Sequence, residues 1–303
     1  MKKGKAITEL VVISGKGGTG KTSITASFAA LAAGRAVLAD CDVDAADLHL
    51  VLTPEILERH DFVNGREAVI RADDCVGCGV CADLCRFDAL RQARHPSGKA
   101  IYKIDPIGCE GCGVCVRFCR SKAIDFPDRL CGEWMLSETR CGPMVHACLY
   151  AAAENSGKLV ATVRREARRI AEAKDLPLII TDGPPGIGCP VIASLTGASK
   201  VLAVTEPTVS GEHDLERVLQ LARFFGIPVA VCVNKWDINP DVTERIERKA
   251  ENLGAACIGR VRYDKAVTTA QIQRKSVVEI GSAAGDDIRQ IWERMEGSWR
   301  ERA

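Results

Sequence analysis

Two groups of residues in this chain have the types and spacing to do chemistry. The first is an eight-residue run, Gly15, Lys16, Gly17, Gly18, Thr19, Gly20, Lys21 and Thr22, followed by Ser23. Gly15, Gly17 and Gly20 fit the dinucleotide fingerprint G-x-G-x-x-G, with Asp40 at the expected distance. Gly15, Gly20, Lys21 and Thr22 fit the phosphate loop G-x-x-x-x-G-K-[ST], a more demanding match because it fixes a lysine and a hydroxyl. Glycines let backbone N–H groups converge on phosphate oxygens, and the helix that follows adds its positive end. Lys21 is then expected on the β- and γ-phosphates and Thr22 on Mg²⁺. Two further stretches favour the phosphate loop. Asp182 precedes Gly183, Pro184, Pro185 and Gly186, an acid for the metal's water shell with a glycine amide beyond it for the γ-phosphate. Asn234, Lys235, Trp236 and Asp237 stand where a base-reading loop belongs. A dehydrogenase explains neither stretch.

The second group is cysteine. Cys75, Cys78, Cys81 and Cys85 recur 34 positions later as Cys109, Cys112, Cys115 and Cys119, and nine of the seventeen residues from 74 to 90 are identical at that offset. Each copy is C-x2-C-x2-C-x3-C. Three cysteines at two-residue gaps curl around one 4Fe–4S cube, and the fourth, too far along, ligates the other. The spacing therefore assigns Cys75, Cys78, Cys81 and Cys119 to one cluster and Cys109, Cys112, Cys115 and Cys85 to a second. Zinc is the competing reading, but zinc knuckles pair two C-x2-C units and need no third cysteine at the same gap. Arg86 and Arg120 stand where bacterial ferredoxins have proline after the fourth cysteine. Of the seven other cysteines, Cys232 and Cys257 read as core thiols. Cys41 and Cys189 flank the nucleotide stretches. Cys131, Cys141, Cys148 and Cys189 leave a further bridging cluster open, though no pair among them has ligand spacing.

Both groups need a scaffold. Apolar runs at 10–14, 36–39, 178–181, 201–204 and 229–233 read as buried strands; 22–33, 158–174, 212–225, 242–253 and 286–299 read as helices. Such alternation predicts an α/β fold: a doubly wound, mostly parallel sheet. Residues 1–73 form its first part, 74–128 an inserted α+β ferredoxin-type domain, and 129–303 the remainder, so the sheet is interrupted after its second strand. The last helix has one apolar face, Ile288, Ile291, Trp292, Met295 and Trp299, suited to packing on the sheet. His146 and His213 read as hydrogen-bonded structural residues.

Composition narrows the function class. The 303 residues carry 41 Lys and Arg against 40 Asp and Glu, a net charge of +1, which argues against holding nucleic acid by phosphate neutralisation. No apolar run is long enough for a membrane span or a secretory signal. That reads as a reducing, cytoplasmic setting, in which clustered cysteines bind metal or do redox work more often than they form disulfides.

Lys16 has no task in binding a single nucleotide, and it marks the deviant phosphate loop K-G-G-x-G-K-[ST]. Here the sequence resembles the MinD/ParA class of P-loop ATPases, and more narrowly the group with an inserted ferredoxin domain, related to Mrp and to the nitrogenase iron protein. Residues 182–194 (DGPPGIGCPVIAS), 205–215 (TEPTVSGEHDL), 142–147 (GPMVHA) and 155–160 (NSGKLV) are similar to that group's phrases. The resemblance implies that Lys16 crosses a dimer interface to the partner's nucleotide. It implies that residues 40–44 are switch I with Asp42 positioning the attacking water, that residues 182–186 are switch II, and that Asn234 recognises adenine. Asp237 completes N-K-x-D, a guanine-reading pattern in GTPases, so the spacing leaves ATP and GTP both open. Arg262 stands where many relatives carry proline.

Three functions follow from the resemblance: an ATP-gated electron donor, an Mrp-like ATPase that assembles or delivers a metal–sulfur cofactor, and a MinD/ParA-like positioning ATPase that carries clusters. The duplicated cluster motif favours the first. The expected cofactors are two 4Fe–4S clusters and ATP with Mg²⁺. The expected partners are a second copy or a related ATPase across the nucleotide, and a metal–sulfur cofactor or redox protein, with neither nucleic acid nor membrane.

Overall fold

The computed structural model describes residues 7–151, 153 and 156–300, with side chains as far as residue 297. Residues 2–5, the Asn155 that opens one family-like phrase, and the Trp299 side chain lie outside what is described. The chain divides into two compact units. One comprises Met1–His60, Glu133–Cys148 and Ser156–Ala303; the other comprises Asp61–Gly132 and Leu149–Asn155.

The larger unit is built on a nine-stranded sheet. Its strand order is Ala256–Val261, Val229–Asn234, Lys200–Thr205, Thr8–Ser14, Leu178–Pro185, Ala36–Asp40, Gly142–Leu149, Asp128–Thr139 and Glu55–Arg66. Each neighbouring pair from Ala256–Val261 to Gly142–Leu149 is parallel. Parallel strands buried on both faces read as continuous apolar runs. Leu10 and Val12 therefore join one core cluster and Val11 and Ile13 the other. Helix Lys21–Ala32 and the C-terminal helix Ala283–Arg300 cover the first face. Phe28 and Trp292 meet there with ring centroids 5.0 Å apart. Ile288, Ile291 and Met295 are buried beside them. Val191, Leu215 and Ile246 cover the other face.

The expected strands and helices are present, with ends shifted by a few residues, because propensity locates the body of an element better than its ends. Three strands at one edge of this sheet were not expected. Glu55–Arg66 is exposed at most of its positions, so it carries no apolar run to betray it. It gives the sheet a third strand in chain order ahead of the cysteine motifs. Asp128–Thr139 and Gly142–Leu149 lie after the cysteine motifs, where no strand was read.

The smaller unit holds two antiparallel strand pairs: Val69–Ile70 with Ile124–Asp125, and Leu90–Arg94 with Ala100–Ile104. Short helices Val80–Asp83 and Val114–Phe118 each carry the third cysteine of a motif, Cys81 and Cys115. Ile101, Ala123 and Cys75 form its small buried core.

Candidate functional site

The site begins where three parallel strands end together. Thr8–Ser14 lies between Lys200–Thr205 and Leu178–Pro185, and Ala36–Asp40 is next beyond the latter. Register sets Val12 opposite Asp182, and Asp182 opposite Asp40, so two acids share one level of the sheet. The phosphate loop leaves Thr8–Ser14 at that level and opens helix Lys21–Ala32. Gly20, at the helix start, has φ +88° and faces Asn234 so closely that a Cβ there would collide with the Asn234 amide. A Cβ on Gly15 would likewise run into Asp214.

Lys21 is the hub. Its Nζ is 2.8 Å from Asp182 Oδ1 and 3.5 Å from Asp42 Oδ2, with the lysine almost fully buried. Burial alone would lower the Lys21 amine, but Asp182 and Asp42 outweigh it and hold its pKa above the ordinary value. Asp182 is fully buried and accepts from Thr22 Oγ1 at 2.8 Å and from Thr25 Oγ1 at 2.9 Å. Thr22 and Asp182 therefore already face each other as a hydroxyl and a carboxylate fit for one Mg²⁺ ion. Burial raises Asp42 to about 6, with Lys21 opposing the shift. Asp40 is fully buried, and burial followed by the nearby Asp182 charge holds it well above the carboxylate range. Its two oxygens accept from the amides of Asp42 at 3.2 Å and Leu48 at 3.3 Å, pinning the loop between residues 42 and 48 at both ends.

The remaining expected residues have definite places. Asn234 Nδ2 donates to Thr19 O at 2.7 Å, and its Oδ1 accepts from the Lys235 amide at 3.0 Å, so this side chain braces the loop. Asp237 Oδ1 accepts from Tyr263 N at 2.6 Å. The Arg262 guanidinium pairs with Asp287 at 2.7 and 2.8 Å. Gly186 N donates to Ser14 O at 2.8 Å, and Ser23 Oγ accepts from Gln271 Nε2 at 3.0 Å. Gly17 and Gly18 have open space where a Cβ would sit. Thr19 is buried, and its hydroxyl is the one buried side-chain polar atom without a partner among the described residues.

Sequence reasoning did not single out Glu206. Lys16 Nζ lies 2.7 Å from Glu206 Oε1, and Lys235 Nζ lies 3.1 Å from Glu206 Oε2. Lys16 also donates to Ser210 Oγ at 2.9 Å and Thr208 Oγ1 at 3.2 Å, while Lys235 reaches Gly18 O at 3.1 Å. Burial alone would raise Glu206, but the two lysines outweigh it and lower it. Thr25 was missed as well. Its signal was available, since it lies one helical turn beyond Lys21.

A family model described as "CobQ/CobB/MinD/ParA nucleotide binding domain" matches residues 10–277. The chain belongs to this family. The match runs through both units and contains the phosphate loop, Asp42, Asp182 and Asn234. An uncharacterized protein of Methanocaldococcus jannaschii, MJ0578, is 36% identical over 236 residues, covering 77% of this chain and 80% of that one. A second from that organism, MJ0579, is 25% identical over 234 residues, covering 76% and 81%. Among solved structures, the septum site-determining protein MinD of Pyrococcus horikoshii in complex with Mg-ADP superposes with a TM-score of 0.59 at 14% identity, covering 98% of this chain and 99% of that one. At that identity the likeness shows the fold, a MinD/ParA-type P-loop architecture.

In the smaller unit the cysteines sort into two sets. Cys75, Cys78, Cys81 and Cys119 line one cavity, with Ile70, Val76, Tyr102 and Ile124. Cys85, Cys109, Cys112 and Cys115 line another, with Leu84, Phe87, Leu90 and Ile104. Each cavity has a volume of about 20 Å³. Among the described residues, no three His, Cys, Asp or Glu side chains converge on a single-metal position. Cys131 and Cys141 are buried, Cys131 donating to Asn64 O at 3.2 Å, whereas Cys148 and Cys189 are exposed. Cys232 is fully buried, and burial pushes its thiol up to about 12. His146 is bonded through Nε2 to Ser137 Oγ at 2.8 Å. No described helix is long and apolar enough to cross a membrane.

Proposed function

We propose that this chain is an ATP-hydrolysing iron–sulfur protein in which nucleotide state governs electron transfer through two 4Fe–4S clusters, in the service of a metal–sulfur cofactor protein. One observation carries the electron-transfer half. The fourth cysteine of each motif lines the cavity of the other motif, the arrangement that two cubes require and that two zinc knuckles do not. The residues fit the group: four thiols surround each space, and apolar side chains close it. Bound there, a cluster takes up or gives up one electron at a time. The protein's part is to hold the thiols apart around the cube and to keep water from it.

The hydrolytic half follows from the loop. The backbone amides of Gly17, Gly18 and Gly20, with Lys21, would cradle the phosphates, and Thr22 and Asp182 would hold Mg²⁺. Asp42 would orient the water that attacks the γ-phosphorus as the bond to the bridging oxygen breaks. Its pKa near 6 leaves it largely ionised at neutral pH. Lys16 is free to reach a partner's nucleotide only after leaving Glu206. The partner across the nucleotide is a second copy or a related ATPase. Base choice between adenine and guanine rests on Asn234 and Asp237, and ATP is the proposed substrate. The setting is cytoplasmic, where thiols stay reduced.

The test is composition. Protein purified without oxygen should be brown and hold about eight iron and eight sulfide per chain. Cys78→Ser and Cys112→Ser should each damage one cube while ATP binding survives. Zinc without acid-labile sulfide would end the reading.

A further inference from the structure

Between the two cysteine motifs the chain forms a hairpin, Leu90–Arg94 paired with Ala100–Ile104. From residue 90 to residue 104 it carries Arg91, Arg94, Lys99, Lys103 and His95, and no acid, on a chain whose net charge is only +1. Register sets Arg91 directly opposite Lys103. Like charges facing across a strand pair destabilise it. Neither side chain, nor Arg94, has a carboxylate within ion-pairing distance among the described residues, and all three are exposed. Asp73 pairs with His95 Nε2 at 3.1 Å, and Lys99 donates to the Asp73 carbonyl at 3.2 Å. The hairpin thus holds a concentrated positive charge that the fold itself does not neutralise.

The same hairpin walls both thiol-lined cavities. Leu90 and Ile104, paired with each other, face one, and Tyr102 faces the other. Whatever the hairpin holds lies beside both.

We propose that Arg91 and Lys103, cross-strand neighbours on one face of the hairpin, form a docking surface for an acidic electron-transfer protein. Charge complementarity names the partner. Interspersed cations steer an acidic protein to a small patch and raise its on-rate. Single-stranded nucleic acid would call for aromatic platforms, and the hairpin's two rings are both engaged, Tyr102 at a cavity and His95 with Asp73. A membrane surface would call for large exposed apolar residues among the cations, and the hairpin's exposed apolar residues are only Pro96 and Ala100. The proposal rests on the electron-transfer reading above for the partner's kind, while the docking itself does not need the clusters.

The experiment is a binding titration of the full-length protein with an oxidised acidic bacterial ferredoxin at 50 and 300 mM salt. Single-stranded DNA, anionic phospholipid vesicles and a basic cytochrome c are run beside it. Wild type should bind the ferredoxin, at least tenfold more weakly at high salt, and should not bind the cytochrome. Arg91→Glu with Lys103→Glu should lose at least tenfold at low salt. Its fold is checked by circular dichroism and by an unchanged affinity for ATP. A milder pair, Arg91→Gln with Lys103→Gln, should fall between the two. Equal ferredoxin binding by wild type and the reversed variant would overturn the proposal, as would binding of DNA or vesicles that depends on Arg91 and Lys103 in place of ferredoxin binding. Iron and sulfide are measured on the same samples. Their absence, with charge-dependent docking intact, would remove the electron-transfer reading and leave the surface.

Discussion

Lys16 and Glu206 form a 2.7 Å ion pair within one chain, and Lys235 shares the same carboxylate at 3.1 Å. The lysine that is expected to cross to a partner is therefore held at home. Glu206→Gln removes the charge that holds it. At about 1 kcal/mol for a partly exposed, charge-assisted hydrogen bond, the ATP concentration needed for dimerisation should fall about fivefold. Lys16→Ala should bind nucleotide and remain monomeric. Light scattering across an ATP titration distinguishes the two. An unchanged midpoint for Glu206→Gln would show that Glu206 is no restraint.

Lys21 stands between two carboxylates, so its removal has two consequences. Lys21→Ala should abolish tight nucleotide binding, because the charge on the β- and γ-phosphates is lost. It should also destabilise the nucleotide-free protein by about 3 kcal/mol, since Asp182 stays buried without its cation. Calorimetric titration and urea unfolding read these separately.

Asp42 titrates inside the working pH range. With its carboxyl raised to about 6, kcat/KM for hydrolysis should fall as pH drops through that value and Asp42 takes a proton. Asp42→Asn should bind nucleotide as wild type does, hydrolyse it about a hundredfold more slowly, and lack that acid limb. A wild-type rate in the variant would remove Asp42 from the chemistry.

His146 should make the fold acid-sensitive. Burial lowers its pKa from 6.5 to about 4. The folded state therefore disfavours the charged ring. The stabilisation is fully present above pH 6.5 and is lost as pH falls toward 4, by about 3 kcal/mol at most. Urea unfolding between pH 7 and pH 4 should show this loss in wild type and a smaller one in His146→Asn.

Much of this was legible in the sequence, for identifiable reasons. The central strands could be read because both faces are buried, so the apolar runs are continuous. Glu55–Arg66 could not, because its exposed positions mix Leu57 and Val63 with Glu58, Arg59 and Asp61. The swapped fourth cysteines followed from chain reach alone. Glu206 was hidden because its meaning depends on two lysines, one 190 positions before it and one 29 after, which only the sheet order brings together. Asn234 was read as a base contact, and its bond to Thr19 O could not be foreseen from a motif that records residue type and not direction. Thr25 lay in plain view on the loop helix, but only its bond to Asp182 gives it a role.

The central claim is that nucleotide state and the clusters are coupled. From residues 40–44, proposed as switch I, the chain runs through helix Leu48–Leu52 and strand Glu55–Arg66 into the cysteine unit. A γ-phosphate orders such switch loops, and hydrolysis releases them. The direct measurement is an anaerobic redox titration of both clusters with ADP and with a non-hydrolysable ATP analogue, in wild type and in Lys16→Ala. The account predicts midpoint potentials that differ between the two nucleotides in wild type and coincide in Lys16→Ala. Identical potentials and identical solvent access of the clusters in both nucleotide states of wild type would contradict it.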